Sequence, residues 1–347
     1  MVLRSGEKRY RSGAEDDMIT IRRAVYEDIP DIMQFMDEHW KPGNILATNR
    51  EFFEWQFVDG DKLNMFIGVD EESGKIYGMI GAIVYSHSNN PDISTCTWQV
   101  IKSSNPILGL DLAEYMCGQL NIRYSCASGL SDKAVRLNEL QGRPITEMDH
   151  YYRLADRADY RIAKIVNKTI PEAQETGYFL ECIYSVEEMK QVISEESLAG
   201  HIMSKDYVYI RKRYFEHPVY QYDVWKIVDE AGDSRSVLVT RDETMDDRKV
   251  CKIIDHYGEI EDLGRITSAL DYLMEDRGYE FVDVYSFGIP VEIYEQGGFV
   301  RCDGTSRNII PNYFHPFVQE NITLKMVDPI LQGARLFRGD GDQDRPC

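Results

Sequence analysis

The feature that most constrains this chain is that it states one order of elements twice. A Leu-Gly pair at Leu108-Gly109 returns at Leu263-Gly264, and a glycine closing a later amphipathic segment stands at Gly142 and again at Gly297, both at an offset of 155 residues. Around these markers the same patterns recur: a hairpin, a further strand, a helix, a strand, a short helix, a strand. A period this long marks a duplicated domain rather than the short unit of a solenoid. The 347 residues leave room for two domains of ordinary size, and a 43% hydrophobic content lets each bury its own core.

The first copy begins at Ile19, where ITIRRA alternates apolar and polar residues as a half-buried strand does. Asp28 stands where it would cap a helix over residues 29–40, with Ile29, Ile32, Met33 and Met36 on one face. REFFEWQF, after Thr48 and Asn49, reads as a second helix. MFIGVD and KIYGMIGAIVY flank the turn EESGK, and STCTWQVIKS is a third strand. The loop SNPILG, helix LDLAEYMCGQL, strand IRYSCAS, helix SDKAVRLNELQG and strand DHYYRLA complete the copy.

In the second copy YDVWKIVDE turns through AGDSR into SVLVTRDE. VCKIIDHYG then leads to helix LGRITSALDYLMEDRG, strand YEFVDVYSF, helix VEIYEQGG and strand FVRCD. The expected class is α/β with mixed sheets, in two tandem domains at 19–157 and 158–330. A leader at 1–18 and a Gly- and Asp-rich tail at 331–347 read as flexible.

Charge and cysteine usage exclude several functions. A net charge of -20 repels nucleic-acid phosphates and anionic lipid, so neither is an expected partner. The seven cysteines are odd in number and include no C-x-x-C pair, which points away from a disulfide framework or a metal cluster and toward the cytoplasm. The leader carries charge without an apolar core, and no apolar run is long enough to cross a bilayer.

Chemistry concentrates at VIKSSNPILGLDLAEYM. A strand ends at Lys102, a polar loop follows, and a helix starts near Gly109. Unpaired N–H groups and a partial positive charge make a helix N-terminus a place for a pyrophosphate. Lys102, Ser103, Ser104 and Asn105 would add polar contacts, although β-α loops of this composition also occur without a ligand. The corresponding stretch of the second copy, DHYGEIEDLG, is acidic and repels phosphate.

The series of elements from Ile19 to Leu154 resembles the GNAT superfamily of acetyltransferases. The resemblance implies that the loop Lys102–Asn105 with Leu108, Gly109 and Leu110 wraps the CoA pyrophosphate. It further implies that the backbone of Val100 and Ile101 pairs with the pantetheine arm and that Ala134, Leu137 and Asn138 lie near the thiol. Only the single Gly109 stands where the family carries Gly-x-Gly or Gly-x-Ala. Acyl-CoA therefore falls to the first domain and acceptor recognition to the second.

A second resemblance is carried by RNIIPNYFHPFVQENITL, with Pro311, Asn312, Tyr313, Phe314, Pro316, Phe317 and Asn321. It is similar to the ending of two-domain acyltransferases from bacterial surface-polysaccharide clusters, as are HWKPGNILATNREFFEWQF, TWQVI and IIDHYG. This implies transfer of an acyl group, from acetyl-CoA or a short hydroxyacyl-CoA and without a metal, to the amine of a nucleotide-linked amino sugar.

Asp255 and His256 are the candidate bases, imidazole being suited to proton transfer near neutral pH. Tyr257 and His315 are alternatives. His39 and Trp40 are expected to line the acceptor pocket, and Asn312, Tyr313, Phe314 and His315 to contact the sugar nucleotide; the competing reading of that motif is an aromatic plug closing the core. Two other functions stay open: a non-catalytic nucleotide- or glycan-binding module, and an aminoacyl-tRNA-dependent transferase, which the acidic charge disfavours.

Overall fold

The computed structural model describes residues 8–11, 18–101, 107–172 and 174–346. Its first sheet runs Lys8–Arg11, Met18–Arg23, Met65–Asp70, Ile76–Val84, Ile93–Val100, Ser125–Cys126. All neighbours are antiparallel except the last two strands, which are parallel. Part of the expected leader is therefore a strand, with Lys8 opposite Ile21 and Arg11 opposite Met18; residues 1–7 and 12–17 lie outside the described residues.

Helices cover both faces. Asn49 accepts from Phe52 N at 3.0 Å to cap Arg50–Phe57, whose Phe52, Phe53 and Phe57 are buried. Each such ring contributes about 1.5–3 kcal/mol by leaving water. The helix Ile29–His39 buries Ile29, Ile32, Phe35 and Met36, with Met33 only half-buried. Asp28 does not cap it. Its carboxylate takes Arg22 at 2.6 and 2.9 Å and the Val25 N–H at 2.7 Å, so the charge that looked local serves a strand instead. On the other face, the helix Leu108–Leu120 buries Leu108, Leu112 and Met116 against Ile19, Ile21, Phe66 and Ile80.

The second sheet repeats this order: Phe179–Ile183, Asp223–Val228, Ser234–Met245, Arg248–Gly258, Tyr279–Phe287. Here too one pair is parallel, Arg248–Gly258 with Tyr279–Phe287. The strands beginning at Ile93 and Arg248 keep the offset of 155 residues, as do those beginning at Ile145 and Val300.

The two copies exchange a strand. Asp149–Leu154, read from sequence as closing the first domain, lies in the second sheet between Tyr279–Phe287 and Val300–Arg301. In return Lys325–Val327 pairs with Ile145–Glu147 and, through Met326, bridges Ser128 beside the first sheet. The second sheet thus contains a strand of the first copy, and a short ribbon shared by both copies borders the first sheet. The shared core between them joins Tyr85, Cys126 and Met148 to Ile183, Val239, Ile254, Tyr285 and Leu336.

The expected flexible tail is packed. Leu336–Phe337 pairs with Phe287 and Ser286, and Arg338, Asp340 and Asp344 are among the most buried residues of the chain. The composition that reads as disorder places charges opposite charges held elsewhere. Asp344 Oδ1 meets Arg241 at 2.7 Å, Asp344 Oδ2 meets Arg213 at 3.3 Å, and Lys205 stands 2.5 Å from Asp255 and 2.8 Å from Asp340. Buried charges are tolerable only when paired in this way.

Candidate functional site

Each copy contains one place where parallel neighbours part. In the first, Ile93 and Ser94 pair with Ser125 and Cys126, and beyond them the strands diverge. A bulge drives the divergence: Gly81 faces Cys96 and Met79 faces Gln99, so Thr97 and Trp98 together oppose Ile80. Thr97 takes φ 48°, a left-handed conformation uncommon for a threonine. Bulges add twist and re-aim the backbone at strand ends, here opening a wedge between two strands.

That wedge is a cavity with about 720 Å³ of space, mouth included. Thr95, Cys96, Thr97 and Trp98 form one wall and residues 127–131 the other. Ala134 and Asn138 come from the helix Asp132–Leu140, which Ser131 caps by accepting from Ala134 N at 3.3 Å. Two buried polar atoms of its lining have no partner among the described residues: the Trp98 indole N–H and the Asn138 carbonyl oxygen. Asn138 donates its amide to Ala134 O at 2.8 Å, so its oxygen stays available. A donor and an acceptor without partners beside an open wedge suit the amide groups of a pantetheine arm.

The second copy has the same bulge and no wedge. Val239 faces Asp255 and Thr240 faces Ile253, leaving Ile254 as the extra residue. Its carbonyl accepts Gly339 N at 2.8 Å, and Leu336–Phe337 pairs with the Tyr279–Phe287 strand. The tail thus lies in the gap. A Cβ on Gly339 would stand 2.6 Å from Tyr214 Oη and 2.9 Å from Ile254 O, so only glycine passes there. The acidic turn that follows seals itself: Asp262 is buried, accepts Ser236 Oγ at 2.6 Å and pairs with Arg265 at 2.9 Å.

From that gap the tail crosses to the first copy. At Gly341 a Cβ would lie 2.7 Å from Ser128 Oγ and 3.1 Å from Ser94 Oγ. Asp342, Gln343 and Arg345 then line the open wedge. On its other side the tail borders a second cavity, with about 750 Å³ of space, between the copies. Phe52, Trp55, Asp59 and His87 contribute from the first copy and Tyr209, Lys212 and Arg213 from the second. Asp342 and Arg345 belong to the lining of both cavities. Gln56 donates to Asp342 at 3.3 Å, Arg345 pairs with its other oxygen, and the Arg345 guanidinium lies 5.0 Å from the Trp40 ring centroid.

The residues singled out from sequence separate into groups. Lys102, Ser103, Ser104 and Asn105 lie outside the described residues. Val100 and Ile101 end the wedge strand and its extension. Leu108, Gly109 and Leu110 form the first turn of the helix Leu108–Leu120, whose N-cap position is Ile107. Gly109 lets that helix sit close to the strand, since a Cβ would meet Trp98 Nε1 at 3.3 Å and Val100 Cγ2 at 3.4 Å. Asn138 and Trp40 line the wedge, while His39 is exposed on a separate depression with Glu38 and Lys75.

Asp255, His256 and Tyr257 sit on the filled side. They line a small cavity with His201, Lys205 and Asp340 that shares no lining residue with the wedge. Asp255 is saturated, taking Lys205 at 2.5 Å, Tyr214 at 2.6 Å and Tyr257 at 2.7 Å. Burial pushes the His256 imidazole down to about 4, and its Nε2 has no partner among the described residues. The Pro311–Asn321 motif also lies apart from the cavities described. Phe314 is buried with Tyr152, Leu154, Val250 and Phe281, and Asn312 is buried, its carbonyl 3.5 Å from Arg338. Tyr313 and His315 are exposed, the latter 3.9 Å from Glu243. Sequence reading missed the tail residues Asp342 and Arg345 and the cavity between the copies. The one available signal was the density of charge in RGDGDQDR.

No protein-family model matches the sequence, and no curated protein matches it significantly. Among solved structures, a GCN5-related N-acetyltransferase from Anabaena variabilis ATCC 29413 aligns with a TM-score of 0.55 at 9% identity, covering 89% of this chain and 72% of that one. A conserved protein of unknown function from Enterococcus faecalis V583 aligns with a TM-score of 0.53 at 10% identity, covering 81% and 69%. At these identities the likeness is one of fold. The chain has the mixed α/β fold of the GCN5-related (GNAT) transferases, and the repeated topology described above places it twice in one polypeptide. Among the described residues no helix is long and apolar enough to cross a membrane, and no cluster of metal-ligating side chains is present.

Proposed function

We propose that this chain is an acyl-CoA-dependent N-acyltransferase, with the acyl-CoA held in the first copy and the accepting amine presented from the cavity between the copies. The observation that supports this most is the open wedge at the Thr97 bulge, whose far wall, Asp342 and Arg345, is also the wall of the second cavity. The pantetheine arm would run along Thr95–Trp98, meeting the Trp98 indole N–H and the Asn138 carbonyl. The pyrophosphate would sit at the helix beginning at Leu108.

For the chemical step, the amine nitrogen attacks the thioester carbonyl carbon, a C–N bond forms and the C–S bond breaks. The proton shed by the amine goes to the Asp342 carboxylate, which Gln56 and Arg345 hold at the meeting of the two cavities, and Asp342 returns it to the departing thiolate so that CoA leaves as thiol. Positioning a base and both reactants in one geometry supplies most of such a rate enhancement. His256 and Asp255 are assigned to the structure of the second copy in this reading, because the wedge beside them is filled.

The acceptor is proposed to be the amine of a nucleotide-linked amino sugar, in glycan biosynthesis in the cytoplasm, with an acetyl or short hydroxyacyl donor. This rests on the sequence resemblance carried by the Pro311–Asn321 motif, whose residues stand away from the cavity, on the aromatic lining given by Phe52 and Trp55, and on unpaired cysteines such as Cys96 and Cys126. The test is release of CoA thiol from acetyl-CoA and hydroxyacyl-CoA with a panel of nucleotide amino sugars. Asp342→Asn is expected to lower kcat by roughly 10²–10⁴ with little change in the KM for acyl-CoA. No thiol release with any amine would leave a binding module as the better account.

A further inference from the structure

The cavity between the copies carries two donors without a hydrogen-bond partner among the described residues and a lysine, Lys212, without an ion pair among them. The Tyr209 side chain is 92% buried, at 8% exposure, and its hydroxyl has no hydrogen-bond partner among the described residues. The Trp55 indole N–H, also buried, has none either. Lys212 donates to the Val58 carbonyl at 3.2 Å and lies 5.8 Å from the Trp55 ring, and it forms no ion pair among the described residues. The other cations of the lining are neutralised: Arg213 by Asp344, Arg345 by Asp342, and His87 stands at 2.7 Å from Asp206 and 3.2 Å from Asp59. Burial pulls the Lys212 ammonium below its ordinary range, and the nearby Asp59 carboxylate, itself engaged by His87, only partly opposes this. A lysine kept in this state is a cost to the fold unless something compensates it.

We propose that this cavity receives an anionic group of the acceptor, a phosphate or a carboxylate, on the Lys212 ammonium, the Tyr209 hydroxyl and the Trp55 indole N–H. The inference rests on the reading that this chain acylates an amine, and it narrows the acceptor to amines that carry such a group. The chemistry is complementary across the cavity: the donors gather at Trp55, Tyr209 and Lys212, and a carboxylate, Asp342, stands where the wedge begins. An acceptor with an anion at one end and an amine at the other would be held in one orientation. Lysine gives a point charge able to hold either anion, and hydroxyl and indole donors add direction.

Calorimetric titration of the full chain with inorganic phosphate and, separately, with acetate tests this without acyl-CoA. One of the two anions is expected to bind, with affinity falling about tenfold or more in Lys212→Met and in Tyr209→Phe, as loss of a hydrogen bond to a charged group does. Preference for phosphate identifies a phosphoester acceptor, and preference for acetate a carboxylate one. Should Lys212→Met unfold, Tyr209→Phe removes a single oxygen and gives the same readout. Failure of both anions to bind the wild-type chain, or binding unchanged in both variants, overturns the proposal. Because the titration does not involve transfer, anion binding that persists while no amine releases CoA refutes the reaction and leaves the anion site standing.

Discussion

The two copies place the same bulge on the same strand and then treat the gap beside it in opposite ways. In the first, Thr97 and Trp98 open a wedge whose facing wall is residues 127–131 and Ala134. In the second, Ile254 opens a comparable gap, and Leu336–Phe337 with Gly339 fills it. The difference teaches that a duplicated fold can open a gap in one copy and fill the equivalent gap in the other on one backbone plan. The chain's own later segment supplies a hydrogen bond in that gap, from Gly339 to the bulge carbonyl. The same segment that closes one gap forms a wall of the other, so the silent copy shapes the open one.

Three substitutions probe this contrast. Asp344→Ala takes away the buried carboxylate shared by Arg213 and Arg241, leaving two guanidinium groups without it. A destabilisation of about 3–5 kcal/mol is expected, read as a fall in Tm, because unpaired buried charge is among the most costly defects. A change under 1 kcal/mol would mean that the tail does not hold the copies together.

Ala134→Trp sharpens the contrast from the open side by placing an indole in the first wedge. Affinity for acyl-CoA should drop about a hundredfold or more while Tm stays within a few degrees, since Ala134 is only half-buried. Undiminished binding measured by calorimetry would move the thioester out of the first copy.

The smallest effect is a pH dependence at the crossing point. Asp340 and Asp255 share the single Lys205 ammonium, and burial with this excess of negative charge pushes the Asp340 carboxyl up to about 6. The folded chain therefore holds this proton more tightly than the unfolded chain, whose value is near 3.8. Stability from this group is highest below that value and is lost as pH rises through about 6. Asp340→Asn removes the dependence, so the Tm of the variant should gain on wild type between pH 4 and pH 7. A pH-independent difference between the two would show that Asp340 is ionised throughout.

Much of the architecture was legible in the residues. The alternation in ITIRRA, the helix expected over REFFEWQF and the recurrence at 155 residues are local or periodic signals, and each matches an element of the structure. The strand exchange was not legible, because Asp149–Leu154 looks the same whichever sheet receives it. Register and partner are decided by burial across the whole molecule. The tail was misread for a related reason. Gly and Asp favour disorder in isolation, and only the positions of Lys205, Arg213 and Arg241, more than a hundred residues earlier, make them a packed strand and turn. The candidate site was half visible. Trp40 and Asn138 face the wedge, whereas His256 drew attention through its imidazole alone and lies beside the filled gap.

The exchange of strands has a consequence for how the molecule comes to exist. Residues 324–327, which flank the first copy, and 336–345, which fill one gap and wall the other, leave the ribosome after nearly everything they complete. A nascent chain emerging in order therefore carries a first copy whose border strand is still unmade and a second copy with an empty slot. The wedge acquires the wall formed by Asp342, Gln343 and Arg345 only after both copies have been made, so a product truncated before these residues would be deprived of an enclosed wedge rather than merely shortened.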